Sequence, residues 1–428
     1  MEESEDGGTR NTDEDGLKTM SNTLLKMMQT FSEFWVFEFL RNISVYLLFV
    51  IPAVILYRYL KNSRFFEQTQ SGFSFKLLFC CFAERSGDVI PQFVDATKSG
   101  KRSFRHNAVL LIICASGLQI SYLTWGILQE RIMTHAYGES PSSSGKMFKN
   151  AQFLVFVNRI LALIAAALIL SFQNLLHHNP APFFKYSFCS LSNVASSWCQ
   201  YEALKFVSFP TQVIAKASKV IPVMIMGKVV SRTTYENYQY ITAVLISLGM
   251  TIFFFYQGFN DKKTSETTTL SGIIILIGYM TFDSFTSNWQ SSLFKTYKMN
   301  SFQMMFGVNV FSSLFTFVSL IINQELGSCI EFLLNYPLFL WHCIILSICS
   351  ATGQLFIFKT ISEFGPVVFT IIMTLRQMLA ILLSCVIYMH PITFGGTIGA
   401  VIVFAALFFD VYCKQRKNSY SVRTTTRL

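Results

Sequence analysis

The chain has 428 residues, 52% of them hydrophobic and 14% charged, with a formal net charge of +10 and a positive mean hydropathy. So much apolar surface excludes an ordinary soluble domain and places the protein in lipid. The ten cysteines are scattered, most within apolar runs where a thiol acts as a small filler, and their spacing excludes a disulfide framework or a metal site.

In chain order, residues 1–34 form an acidic polar head with Glu2, Glu3, Glu5, Asp6, Asp13, Glu14 and Asp15. It has no short apolar run followed by small residues, so no cleavable signal peptide is expected. Trp35 to Tyr57 is the first predicted span. A basic linker follows over 58–107, with Arg58, Lys61, Arg64, Lys76, Arg85, Lys98, Lys101, Arg102 and Arg105. Within it, Cys80 and Cys81 read as interfacial packing or as an acylation site. Five spans come next: Ala108 to Gln129, Phe153 to Phe172, Phe183 to Lys205, Pro210 to Val230 and Tyr240 to Gln257. Five more are Gly272 to Phe294, Phe302 to Ile322, Pro337 to Lys359, Pro366 to Met389 and Phe394 to Cys413. Each is about 18 to 24 residues with polar or proline-bearing ends, as helices that satisfy their backbone internally require.

Lys and Arg concentrate on the cytosolic side of membrane proteins. The linker and the tail, with Lys414, Arg416, Lys417, Arg423 and Arg427, are therefore expected in the cytosol. An odd number of crossings then puts the acidic head in the lumen. The segment Asn323 to Tyr336 falls there too, with Glu325 and Glu331 and no Lys or Arg. Beside so many spans the basic stretches read as orientation signals and not as a nucleic-acid surface.

Charge inside the spans is scarce and informative. Lys216 and Lys219 lie within FPTQVIAKASKVIPVMIMG. At about 1.5 Å of rise per residue they sit about 9 and 13 Å past Pro210, in a hydrocarbon core about 30 Å thick. Uncompensated charge at that depth is costly. Gln212, Lys216 and Lys219 fall at i, i+4 and i+7, one stripe of a helix. Two segments repeat a pattern: Gln200, then Lys205, then Pro210, and Gln354, then Lys359, then Pro366. Transporters built from inverted repeats place their binding site at the midplane between the halves. If the second copy is inverted, Arg376 enters about 15 Å from the opposite surface and meets the two lysines.

Two readings of these cations stand side by side. They hold an anionic cargo, or they are paired inside the bundle, with Glu130, Glu202 and Asp283 as partners. Glu130 in WGILQE either orients a lysine in the empty state or caps a helix end. Lys205, Lys228 and Lys359 lie near helix ends, where the ammonium snorkels to the interface. Tyr122, Trp125, Trp198 and Tyr201 are candidates to stack a base. Gln200 is a candidate to hydrogen-bond its edge. His106, His135, His177, His178, His342 and His390 form no catalytic constellation, so no enzyme is expected.

The strings SSWCQYEALKFVSFPTQVIAKASKVIPVMIMGKVVSR, GLQISYLTWGILQERIMT, FDSFTSNWQ, QMMFGVNVFSSLFT, LSICSATGQLFIF and VFTIIMTLRQMLAILLSC resemble, in order, the carriers of 3′-phosphoadenosine 5′-phosphosulfate (PAPS) in the nucleotide-sugar branch of the drug/metabolite transporter superfamily. The likeness runs from about Ala108 to Cys413; the head, Gly72 to Ser99 and Gln324 to Trp341 depart from it. It implies an all-α polytopic membrane protein, with a ten-helix core of two inverted five-helix repeats, 108–257 and 272–413. The span over 35–57 is then an extra N-terminal helix, 258–271 a lumenal loop and 414–428 a cytosolic tail. It implies a Golgi carrier that brings PAPS from cytosol to lumen for sulfation, in exchange for adenosine 3′,5′-bisphosphate, and needs no cofactor. A homo-oligomer, and a UDP-sugar or ATP/ADP exchanger of the same branch, remain open. Carried over residue by residue, the cargo site is Lys216, Lys219 and Arg376; the residue reading adds Gln200, Tyr201, Gln212, Gln354 and Glu130 as candidate contacts, with Gln377 beside the arginine. Related carriers of adenine nucleotides have a lysine where this chain has Gln377, which favours PAPS over ATP. The terminal TTTRL lacks a retrieval signal for the endoplasmic reticulum. The one glycosylation sequon, Asn42-Ile43-Ser44, falls inside a span and is expected to go unused.

Overall fold

The computed structural model describes residues 104–138, 145–148, 150–175, 181–203, 206–207, 209–257, 270–387 and 393–425, with scattered positions between 44 and 62. The acidic head, Asn42, most of the linker including Cys80 and Cys81, Lys205, His177, His178, His390 and the loop over 258–269 lie outside the described residues. The chain divides into two units, 1–56 and 57–428. In the first, the described positions are helical, and Leu48, Ile51 and Ile55 are exposed.

The second unit is a helical bundle. Helix α1 covers Phe104–Thr134, and a hairpin of β1 (Ala136–Tyr137) and β2 (Lys146–Met147) follows, with Ala136 opposite Met147. Then come α2 (Ala151–Phe172), α3 (Phe184–Ala203), α4 (Phe209–Ala217), α5 (Val220–Ser231) and α6 (Asn237–Gln257). The chain continues with α7 (Leu270–Tyr297), α8 (Ser301–Ile322), α9 (Leu326–Asn335), α10 (Pro337–Ile387) and α11 (Phe394–Thr425). Local chemistry sets several of these ends. Asn150 caps α2 by accepting from the Phe153 amide at 2.9 Å. Asn300 and Gln303 form a reciprocal capping box at the start of α8.

Seven helices among the described residues are long and apolar enough to cross a membrane. The sequence predicts ten spans over the same stretch, and three physical causes account for the difference. First, α10 contains two predicted spans joined through a kink. Gly365 there has φ 86° and ψ 173°, a region open essentially to glycine alone, and Pro366 has no N–H to continue the ladder. Second, the predicted span from Phe183 to Lys205 forms α3, but its serines and Asn193 lower its hydropathy. Third, the predicted span from Pro210 to Val230 is broken between α4 and α5. Ser218 donates to the Ala215 carbonyl at 2.9 Å, and Lys219 N–H reaches Lys216 oxygen three residues back at 3.4 Å. A side chain competing for backbone acceptors loosens a helix in this way. The segment Asn323 to Tyr336, between two predicted spans, contains α9. The predicted last span, Phe394 to Cys413, is the apolar part of α11, which continues to Thr425.

The strongest helix pairings are α6 with α11, α3 with α7, α1 with α10 and α2 with α8; α5 packs on α7, α2 on α10 and α3 on α8. Polar side chains tie the crossings, as is common where lipid supplies no hydrophobic driving force. Ser347 donates to Asn158 at 2.7 Å, and Asn288 Nδ2 to the Val223 carbonyl at 2.9 Å. Outward faces are apolar; Ile112 is 65% exposed, and Ile120 and Ile127 are each 67% exposed, along α1. One end of the bundle is sealed by an aromatic cluster in which Tyr137, Phe148 and Phe339 are buried and Phe332 packs against them. The Tyr137 hydroxyl and His342 Nδ1 share a hydrogen bond of 2.8 Å. Burial pushes the Tyr137 phenol up to about 12, with Cys343 adding to the shift, so it enters that bond protonated at ordinary pH.

Candidate functional site

The break between α4 and α5 places both lysines on the bundle side of one wall. Lys216 is in the last turn of α4, with its Nζ 6.0 Å from the centre of the Tyr279 ring on α7. Lys219 forms an ion pair with Asp283, also on α7. The pairing alternative therefore holds for one cation of the three, with Asp283 and not Glu130 or Glu202 as its carboxylate. Glu202 is buried on α3, and Glu130 is exposed near the end of α1.

Arg376, on the part of α10 beyond the Gly365 kink, stands over the Tyr122 ring of α1 at 5.7 Å. Its Nε is buried without a hydrogen-bond partner. Lys216 lies within electrostatic range of both Arg376 and Lys219. The structure thus brings together the three cations singled out by depth. Among the described residues neither Lys216 nor Arg376 has a carboxylate partner. Both are half-buried, and a cation desolvated without a partner is costly because the penalty is not returned; an anion would offset it.

The other sequence-selected residues divide. Gln212 is 1% exposed and donates to the Gln200 carbonyl at 2.6 Å, fastening α4 to α3. Gln354 is buried and accepts from Asn309 Nδ2 at 2.9 Å, fastening α10 to α8. Both amides serve helix packing in this conformation. Gln377 is half-buried beside Arg376, and the side chain of Tyr201 lies outside the described residues. Of the peripheral lysines, Lys359 pairs with Glu363 at 2.8 Å and Lys228 rests on the Tyr240 ring at 4.9 Å.

One cation escaped the sequence reading. Arg159 sits in the apolar run NRILALIAAALIL of α2, eight residues past Ala151 and hence about 12 Å into the helix. It lies within electrostatic range of the Tyr122 phenol. The depth argument that selected Lys216 applies to it unchanged. Its signal in the sequence is a lone arginine inside an otherwise apolar run.

A bundle with seven helices long and apolar enough to cross a membrane among the described residues is consistent with the family that comparison of the sequence shows. The UAA transporter family model matches residues 110–414. The chain belongs to the UAA transporter family. It is 51% identical over 391 residues to the adenosine 3′-phospho 5′-phosphosulfate transporter 1 of Homo sapiens, covering 91% of this chain and 89% of that one. It is 49% identical to the protein of the same name from Drosophila melanogaster, covering 91% and 85%. It is 35% identical to UDP-galactose/UDP-glucose transporter 5 of Arabidopsis thaliana, covering 77% and 93%. As a member of the UAA transporter family, the protein is a multi-pass membrane transporter. The family match spans almost the interval from Ala108 to Cys413 in which the sequence resemblance was found, and it runs through Gln324 to Trp341, which the resemblance had set apart.

Proposed function

We propose that the protein is an antiporter that carries PAPS from cytosol into the Golgi lumen and returns adenosine 3′,5′-bisphosphate, by alternating access. The observation that carries this reading is the pair of unpartnered cations, Lys216 and Arg376, meeting from different helices in a chain about half identical to relatives named for PAPS. A phosphomonoester carries about −1.5 to −2 at neutral pH, so PAPS totals roughly −4 with its phosphoryl and sulfuryl charges. Lys216, Lys219 and Arg376 lower the desolvation cost of such an anion, and the anion compensates them. An empty carrier therefore reorients reluctantly.

The helix pairings support an inverted repeat with halves 108–257 and 272–413. Exchanging the halves maps α1 on α10 onto α7 on α3 and α5, and maps α2 on α10 onto α8 on α3, while α2 with α8 and α6 with α11 map onto themselves. The basic linker and tail favour a cytosolic C-terminus and a lumenal head. The decisive experiment is uptake of labelled PAPS by proteoliposomes. We expect uptake to rise at least tenfold when adenosine 3′,5′-bisphosphate is inside. Equal uptake into empty vesicles would exclude exchange. Competition by unlabelled UDP-sugars or ATP at PAPS-like concentrations would instead favour the second reading, a UDP-sugar or ATP/ADP exchanger, which the 35% identity to the Arabidopsis carrier keeps in play.

Asp283 has a defined place in this cycle. It pairs with Lys219 and in this reading gives way when a polyanion arrives. In Asp283→Asn the lysine loses its internal competitor. The expected result is a lower KM for PAPS, a slower maximal rate because release is retarded, and a less heat-stable empty carrier. Kinetics and thermal unfolding with and without nucleotide check all three; an unchanged KM would remove Asp283 from the cycle.

A further inference from the structure

Arg376 stands over the Tyr122 ring at 5.7 Å. Tyr122 also packs against the buried cluster that holds Ala162 and Ala166 of α2, the helix from which Arg159 comes within electrostatic range of it. One turn along α1, the Trp125 ring meets Tyr122 edge-on at 6.2 Å, and the Trp125 indole N–H is buried without a partner. Among the described residues Arg159 makes no ion pair with a carboxylate. It shares its helix face with Ala162 and Ala166, both fully buried, so it points into the bundle and not to lipid. A guanidinium on an inward face without a carboxylate and a buried indole N–H without an acceptor each carry a cost. Both needs are met by an acceptor-rich anion.

We propose that Arg159, Trp125 and Tyr122 form a second anion subsite that reads the 3′-phosphate of the nucleotide, separate from the Lys216, Lys219 and Arg376 group that holds its 5′ end. This rests on the nucleotide-carrier reading above. A cargo phosphorylated on both sides of its ribose has two separated anionic centres, whereas ATP and UDP-sugars carry one continuous chain. The 5′-phosphosulfate is the longer group and suits the larger cation cluster. A single phosphomonoester suits one guanidinium fork supplemented by an N–H and a phenol.

The test compares adenosine 3′,5′-bisphosphate, 5′-AMP and 3′-AMP as competitors of PAPS exchange by the full chain in proteoliposomes. Thermal stabilisation of the detergent-solubilised protein by the same nucleotides gives a readout of binding without transport. In the wild type the bisphosphate should outcompete 5′-AMP by at least tenfold. In Arg159→Gln that advantage should shrink about tenfold or more, the scale of one charge-assisted contact, with 5′-AMP itself little affected. Arg159→Lys, which keeps the charge but loses the fork, should fall between. Retention of the full advantage in Arg159→Gln overturns the subsite, as does loss of discrimination against 3′-AMP in its place. A wild type that neither exchanges PAPS nor prefers the bisphosphate would overturn the nucleotide-carrier reading itself.

Discussion

Arg376→Ala is expected to reduce PAPS exchange to background while leaving the empty protein at least as heat-stable as the wild type. The guanidinium has no carboxylate partner among the described residues, and its Nε is buried and unsatisfied. Removing it therefore relieves the cargo-free state of a desolvated charge. The loaded state loses a buried, charge-assisted contact to a phosphoryl or sulfuryl oxygen, and truncating one partner of such a pair costs about 2–5 kcal/mol. That corresponds to a fall of roughly 30-fold to several-thousand-fold in affinity. Lys216→Ala should behave the same way. Lys219→Ala should not, because it strands Asp283: exchange falls and the empty protein is destabilised as well. Opposite shifts in the cargo-free melting temperature for Arg376→Ala and Lys219→Ala are the signature. If both variants transported normally, the central cations would be structural and a receptor or scaffold would become the better account.

Gly399→Leu is expected to abolish folded protein. Helices α6 and α11 touch through their backbones at a pair of glycines. A Cβ on Gly399 would lie 2.5 Å from the Phe253 amide nitrogen and 2.6 Å from the Gly249 carbonyl oxygen. A Cβ on Gly249 would lie 2.9 Å from the Gly399 carbonyl oxygen. These are main-chain atoms, which no rotamer change can move aside, so the helices must separate. Separation opens the cluster of Ile246, Met250, Phe253, Val403 and Ala406, all nearly fully buried. Overpacking a tight core costs about 1–3 kcal/mol even where side chains can adjust, and here they cannot. Gly126→Leu is the control, since nothing stands within 4 Å of a Cβ there and leucine is the better helix former. Size-exclusion profiles and melting curves of the two variants in detergent should diverge sharply; a monodisperse Gly399→Leu with native stability would refute the close crossing.

Much of the site was legible because charge in a span is rare enough to be read singly. The depth of Lys216, Lys219 and Arg376 follows from counting residues past Pro210 and Pro366, and the structure brings the three together. The same counting would have found Arg159. Gln212 is a candidate contact through its place on the stripe with Lys216 and Lys219, and Gln354 through the repeated Gln-Lys-Pro pattern, but sequence does not say which partners a buried amide takes. The Gln200 carbonyl and Asn309 supply them. Similarly, Asp283 was one of three carboxylates able to pair with a lysine, and only the packing of α5 against α7 selects it.

By itself the sequence determined that the chain is helical and lipid-dissolved, roughly where its spans begin and end, and which cations lie deep. Hydropathy and helical rise are local properties, fixed by residue type and count. Tertiary structure decided what those cations face: Asp283 for Lys219, Tyr122 for both Arg376 and Arg159, and for Lys216 the Tyr279 ring. It also decided that α4 and α5 are separate helices and that α10 bends at Gly365. Such outcomes depend on which helix faces meet, and that is a competition among distant segments for packing, which no local pattern encodes.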